Sequence, residues 1–223
     1  MLRKFLFAGL SGAALAAMST SAFAAEVTLK LHQFLPPQAT IPAKVLAPWA
    51  EKIKADSGGR IEVELYPAMQ LGGKPADLVD QVKDGVVDIT WTLFGYTPGR
   101  FPKSEAFELP FVMTTGAATS QAFYVYYEKH LTDELNDFHV LAVHTHGPGL
   151  IHTIAAKPVK SLEDMNGLKL RGTSKVVNQM LEAMGAAPVG MPVTAVPESL
   201  SKSVIDGTVV PWEVTPAIKI AEL

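Results

Sequence analysis

"VTLKLHQF", residues 27–34, sets how the chain begins to fold. Val27, Leu29 and Leu31 alternate with Thr28, Lys30 and His32, the period-two pattern of a half-buried strand. Downstream, "PPQATIPAKVLAPWAEKIKADSGG" spaces Val45, Leu46, Trp49 and Ile53 along one helical face. Pro48 must sit early in that helix or kink it, and Gly58-Gly59 end it. "RIEVELY", 60–66, is a second alternating strand, and "KPADLVDQVKDG", 74–85, is a helix closed by a glycine. "VVDITW", 86–91, is almost continuously apolar, as a strand covered on both faces should be. Strand, helix, strand, helix, strand with short links predicts an α/β fold with a mostly parallel, doubly wound sheet.

Upstream of this unit lies a segment of a different kind. Arg3 and Lys4 precede the apolar run "FLFAGLSGAALAAM", and Ala22 and Ala24 of "AFA" provide small residues before a cleavage point. Residues 1–24 therefore read as a secretory signal peptide. Its removal leaves 17 basic against 22 acidic residues, a net charge of −5, which argues against nucleic acid or an anionic membrane surface as partner. The chain has no cysteine, so it carries no disulfide, thiolate metal site or cysteine nucleophile. An export signal with a cysteine-free, sizeable core points to the periplasm.

The rest of the chain continues the alternation. Residues 93–115, rich in Gly, Pro and Phe, read as surface loop; 118–138 as a helix that breaks near Thr132; and 139–156 as two strands or one bent strand interrupted at Gly147-Pro148-Gly149. "NGLKLRGTS", 166–174, is a short strand ending in Arg171, followed by an amphipathic helix over 174–186, a further helix over 194–207 and a closing strand "TVVPWEV". "DGVVDITW" and "DGTVVPW" echo each other, and bring Trp91 and Trp212 to the carboxyl ends of strands. That edge is where ligand crevices form in open α/β sheets, though core aromatics give the same pattern.

The candidate chemistries are few. His144, His146 and His152 fit a zinc site if 139–156 is strand, but no acid or cysteine stands at ligand spacing. Neither a Gly-x-Ser-x-Gly elbow nor a phosphate-binding loop is present, "LGGK" at 71–74 being a glycine turn, and no carboxylate pair suits a glycosidase. No enzyme constellation emerges and no cofactor is expected. Arg171 remains: a rigid fork of donors at a strand end, beside Thr173, Ser174 and a helix N-terminus, fits an anion clamp or a surface ion pair equally well.

Taken in order, "PWAEKIKADSGGRIEVELYPAMQLGG", "QVKDGVVDITW", "FELPFV", "KPVKSLEDMNGLKLR" and "LEAMGAAPVGMPVTAVPESLSKSVIDG" resemble the periplasmic solute-binding proteins of TRAP transporters, the DctP-like family, over nearly all of the chain after residue 24. The resemblance implies a two-lobed periplasmic binding protein, type II-like, with mixed sheets flanked by helices. Residues 25–146 would form lobe 1, completed by 211–223 and by sequence that relatives carry further on. Residues 147–210 would form lobe 2. The chain is then expected to end early, leaving apolar residues of "AIKIAEL" without partners. The protein would be a monomer, not an enzyme, that closes on a small organic acid and docks on a TRAP permease. An Arg after "GLK" pairs with the substrate carboxylate in that family, and Arg171 matches it. Val210 replaces the Asn that many relatives use beside the carboxylate, and the second Arg of sialic-acid binders has an apolar counterpart near Ile151. The expected ligand is a modest 2-oxo, hydroxy or aromatic monocarboxylate. Trp91, Trp212 and Phe34 would wall it, and His32, Gln33, Tyr96 and His146 would supply hydrogen bonds.

Overall fold

Two sheets divide the chain in sequence as well as in space. The computed structural model describes residues 25–222, so the signal-peptide segment lies outside the described residues. The first sheet has the order β2-β1-β3 and is wholly parallel, from β1 (Val27–Gln33), β2 (Ile61–Tyr66) and β3 (Ile89–Trp91). The helix α1 (Ala47–Asp56) lies between β1 and β2. Its Trp49, Ala50 and Ile53 pack with Leu29, Leu31 and Val63. Burying side chains of this size contributes roughly 1.5–3 kcal/mol each before entropy is set against it. The short α2 (Leu78–Lys83) sends Leu78 into the opposite core, so the sheet is covered on both faces.

The second sheet has the order β4-β7-β5-β6. It comprises β4 (Leu150–Thr153), β5 (Lys169–Gly172), β6 (Ala187–Gly190) and β7 (Gly207–Val210). Only β4 runs antiparallel, against β7. Alternation along β5 sends Leu170 toward α4 (Lys175–Ala183), where it meets Leu181 and Val209. Arg171 faces the other way, in register with Val189 on β6 and Thr208 on β7. Asp206 ties three strands together. Its carboxylate accepts from the Lys169 backbone N–H at 2.9 Å and from Lys157 Nζ at 2.7 Å, while its own N–H donates to the Lys169 carbonyl and its carbonyl accepts from Ile154.

The two sheets meet through one apolar cluster. Phe34, Leu35, Leu78 and Tyr96 from the first region pack with Val193, Val196, Ile205 and Val210 from the second, and Ile218 near the end of the chain joins them. Val196 belongs to α5 (Val196–Ser201). Ile218 thus has partners, contrary to the expectation for "AIKIAEL", because the segment folds back as turns instead of running on as an isolated helix.

Three further expectations are corrected. Residues 139–149 form no strand: the chain pairs with no other strand until Leu150, with Leu141 58% exposed. The helix read over 118–138 is α3 (Gly116–Tyr126), capped by the Thr115 hydroxyl and ended by a π-helical turn at Tyr127–Leu131. Residues 93–115 are not plain loop; they hold 3-10 turns at Phe94–Tyr96 and Pro102–Glu108. One strand, β6, carried no signal, because "APVG" holds a proline and a glycine and is only four residues long.

Candidate functional site

Arg171 is 1% exposed, and no carboxylate lies in ion-pairing distance among the described residues. The strand end delivers it there: β5 stops at Gly172, and the guanidinium crosses the carboxyl edge of the sheet. Its Nε donates to the Met191 carbonyl at 2.8 Å. Nη1 donates to the Val209 carbonyl at 3.1 Å and to Thr173 Oγ1 at 3.0 Å. Nη2 is buried with no hydrogen-bond partner among the described residues. Burial pulls the guanidinium below its usual value, and the adjacent Tyr96 phenol opposes that shift. An arginine remains charged regardless, so the structure holds a buried, uncompensated positive charge.

One aromatic side chain of the first region, Tyr96, lies beside it. Tyr96 is buried, and its hydroxyl accepts from the Val193 N–H at 3.0 Å, joining the two regions. Burial pushes the Tyr96 phenol up, and the Arg171 charge draws it back. Phe34 packs edge-on to Tyr96 with centroids 5.1 Å apart and stacks on Trp91 at 5.1 Å. Trp91 ends β3 and stacks in turn on His144, to whose Nε2 its indole N–H donates at 2.9 Å. The result is a layered aromatic group, Phe34, Trp91, His144, joined through Tyr96 to the surroundings of a cation. Such a group matches the flat apolar body of an aromatic acid, and the cation matches its carboxylate.

A second contact between the regions lies beside α4. Gly95 sits where an added Cβ would meet Ser174 Cβ at 2.7 Å and Glu108 Oε1 at 2.8 Å, so only glycine allows this approach. Burial raises the Glu108 carboxyl above its ordinary value, the Ser174 hydroxyl opposes this, Glu105 adds to it and His146 counters it. Glu108 Oε2 is buried and unpartnered among the described residues.

The other sequence candidates are engaged elsewhere. His32 is fully buried. The Leu71 N–H donates to its Nε2 at 3.3 Å, so Nδ1 carries the proton and donates to Gln81 Oε1 at 2.6 Å. Gln33 folds back on its own chain, donating to the Leu35 carbonyl and accepting from the Leu35 N–H. It also lines an apolar cavity of about 260 Å³ with Pro37, Pro42, Leu46 and Pro67, whose lining does not include Arg171. Trp212 stands two residues past β7, 66% exposed, edge-on to His152 at 4.5 Å. His146 donates from Nδ1 to the Gly147 carbonyl at 2.6 Å. The zinc alternative fails for a physical reason. Without a strand over 139–149, His144, His146 and His152 share no face; they bond to Trp91, Gly147 and Val210 respectively, and no group of three metal-ligating side chains occurs among the described residues. Thr208 was missed. It is 1% exposed, in register with Arg171, and its hydroxyl has no partner. Nothing in an apolar-looking "GTVV" marks such a residue.

Known proteins share much of this sequence and fold. A TRAP solute-binding protein from an unidentified marine microbe, described as specific for aromatic acids and crystallised with 3-hydroxybenzoate, is 57% identical with a TM-score of 0.87, over 90% of this chain and 62% of its own. One from Rhodoferax ferrireducens with copurified benzoate is 52% identical with a TM-score of 0.85, over 87% of this chain and 60% of its own. A Comamonas testosteroni protein described as outer membrane transporter protein TsaT is 30% identical over 89% of this chain and 59% of its own length. The chain thus spans about three-fifths of the length of the relatives it matches. Residues 32–223 match DctP, bacterial extracellular solute-binding protein, family 7, and the chain belongs to that family of TRAP-type solute-binding proteins.

Proposed function

We propose that this protein captures a small aromatic monocarboxylate in the periplasm, after export on residues 1–24, and delivers it as a monomer to a TRAP-type permease. The observation that carries this reading is the buried Arg171 with Nη2 unpartnered and no carboxylate beside it among the described residues. A buried lone charge is costly, and an anion entering there removes the cost. The single cation favours one carboxylate over two, and Phe34, Trp91 and Tyr96 favour a flat ring over a polyhydroxylated chain. The aromatic acids held by the 57% and 52% identical relatives support the same choice.

Within this reading residues 25–146 and 147–210 act as the two lobes, 211–223 pack with the first, and the ligand enters when they part. Trp212 and His32, exposed and internally bonded respectively, stand outside the contact set. Isothermal titration with benzoate, 3-hydroxybenzoate, succinate and a sugar acid tests it. Binding of the two benzoates, lost in Arg171→Ala, is expected; binding of the sugar acid alone would overturn it.

A further inference from the structure

A guanidinium has five N–H donors, and in this protein three are already committed. Nε serves the Met191 carbonyl, and the two hydrogens of Nη1 serve Val209 and Thr173. The Thr173 hydroxyl also lies 3.5 Å from the Val209 carbonyl, which closes that side of the fork. Only Nη2 remains. Arg171 therefore cannot offer two parallel N–H groups from two nitrogens to the two oxygens of a carboxylate, the arrangement that makes arginine a strong anion binder. It offers one nitrogen, and one carboxylate oxygen is left to another donor.

Thr208 meets the requirement. It is the register partner of Arg171 on the neighbouring parallel strand, so both side chains project from the same face of the sheet. It is 1% exposed and its Oγ1 has no hydrogen-bond partner among the described residues. Buried hydroxyls without partners are rare and call for a reason. The rest of this row cannot help: Val189 on β6 is apolar, and His152 on β4, paired with Thr208, gives its Nε2–H to the Val210 carbonyl. Tyr96 is the competing donor, since accepting the Val193 N–H leaves its own O–H free, but it belongs to the opposite region and its spacing from Arg171 is not fixed by the sheet. Arg171 and Thr208 sit on one sheet, so their spacing is fixed before any ligand arrives.

We propose that Thr208 is a carboxylate-binding residue, its hydroxyl donating to the ligand oxygen that Arg171 Nη2 does not hold. This rests on the carboxylate reading of the Arg171 site. An unpartnered hydroxyl contributes nothing to the ligand-free fold, so its cost there should vanish in an apolar isostere.

The test measures benzoate affinity by isothermal titration, and ligand-free thermal stability, for the wild-type protein and for Thr208→Val, Thr208→Ser, Tyr96→Phe and Arg171→Ala. Thr208→Val is expected to weaken benzoate roughly tenfold or more, the range for a hydrogen bond to a charged group. Its ligand-free melting temperature should be equal or higher, and Thr208→Ser should retain affinity. A loss below about fivefold in Thr208→Val overturns the proposal, as does a lowered ligand-free melting temperature, which would place the hydroxyl in a structural bond. Retention in Thr208→Val with loss in Tyr96→Phe assigns the second oxygen to Tyr96 instead. Retention in Thr208→Val with loss in Arg171→Ala sinks this proposal and spares the proposed function, whereas a wild-type protein that binds no carboxylate sinks both.

Discussion

The Trp91 indole donates a 2.9 Å hydrogen bond to His144 Nε2, and the two rings stack with centroids 6.0 Å apart. The bond requires a lone pair on Nε2, hence a neutral imidazole with its proton on Nδ1. His144 therefore fixes the orientation of the ring that Phe34 stacks upon. Replacing it by alanine should leave the fold intact and weaken an aromatic acid by about threefold to tenfold, the scale of one aromatic pair. Trp91→Ala should cost more than His144→Ala, and succinate should be indifferent to both. Titration with the two ligands distinguishes a lost wall from general damage.

Arginine's geometry, as well as its charge, is needed at position 171. Three acceptors, the carbonyls of Met191 and Val209 and the Thr173 hydroxyl, are spread around the guanidinium, and a lysine ammonium on a flexible stem cannot reach all three while holding a ligand. Arg171→Lys should weaken benzoate at least thirtyfold, from a loss of about 2 kcal/mol or more. Fluorescence titration reads this, and affinity within threefold of wild type would contradict it.

Asp206 predicts acid lability. Lys157 first, then the Lys169 N–H, hold its carboxyl below the usual carboxylate value. A depressed folded-state value means that the contribution is present above the ordinary value of about 3.9 and is lost as pH falls through it toward the folded-state value. Asp206→Asn should flatten the acid limb of the stability profile in urea melts and destabilise the neutral protein by about 2 kcal/mol, through its charged hydrogen bonds.

Glu108 predicts the opposite slope. Burial raises its folded-state value, so the native protein holds this proton more tightly than the unfolded chain. Stability from this group is present below the ordinary carboxylate value of about 4.3 and is lost as pH rises through the higher folded-state value. Glu108→Gln should remove that decline and raise the melting temperature at neutral pH. An unchanged profile between pH 4 and 7, measured by thermal melts, would refute it.

His32 is expected to matter for stability alone. Its ring joins β1 to Gln81 on α2 and to the turn at Leu71. His32→Ala should cost about 1–3 kcal/mol, leaving Gln81 and the Leu71 N–H unpaired, with benzoate affinity unchanged where the protein remains folded.

The first sheet was legible because its pattern is local. Val27, Leu29 and Leu31 alternate, α1 keeps one apolar face, and glycines mark the ends, so the parallel direction of the strands follows from the sequence. Local reading misled over 139–149, where the apolar run Val140, Leu141, Ala142, Val143 finds no partner strand; pairing is a tertiary property. β6 failed for the converse reason, since Pro188 in a strand carries no local signal and is held by its neighbour β5. The burial of Arg171 was not legible: alternation along "LKLRG" sends a charge toward solvent, whereas here it is 1% exposed. Thr208 and Glu108 matter because of what they fail to contact, and no residue type announces that.

The Tyr96 hydroxyl accepts a backbone N–H from Val193 across the junction of the two regions, within an apolar cluster. To part them, water must reach that amide before the aromatic layer can separate, or a buried donor is stranded. Under the proposed function, ligand escape would then be gated by hydration of one peptide group. Residence time should lengthen or shorten with the strength of that single bond, even in variants whose contacts to the acid are untouched.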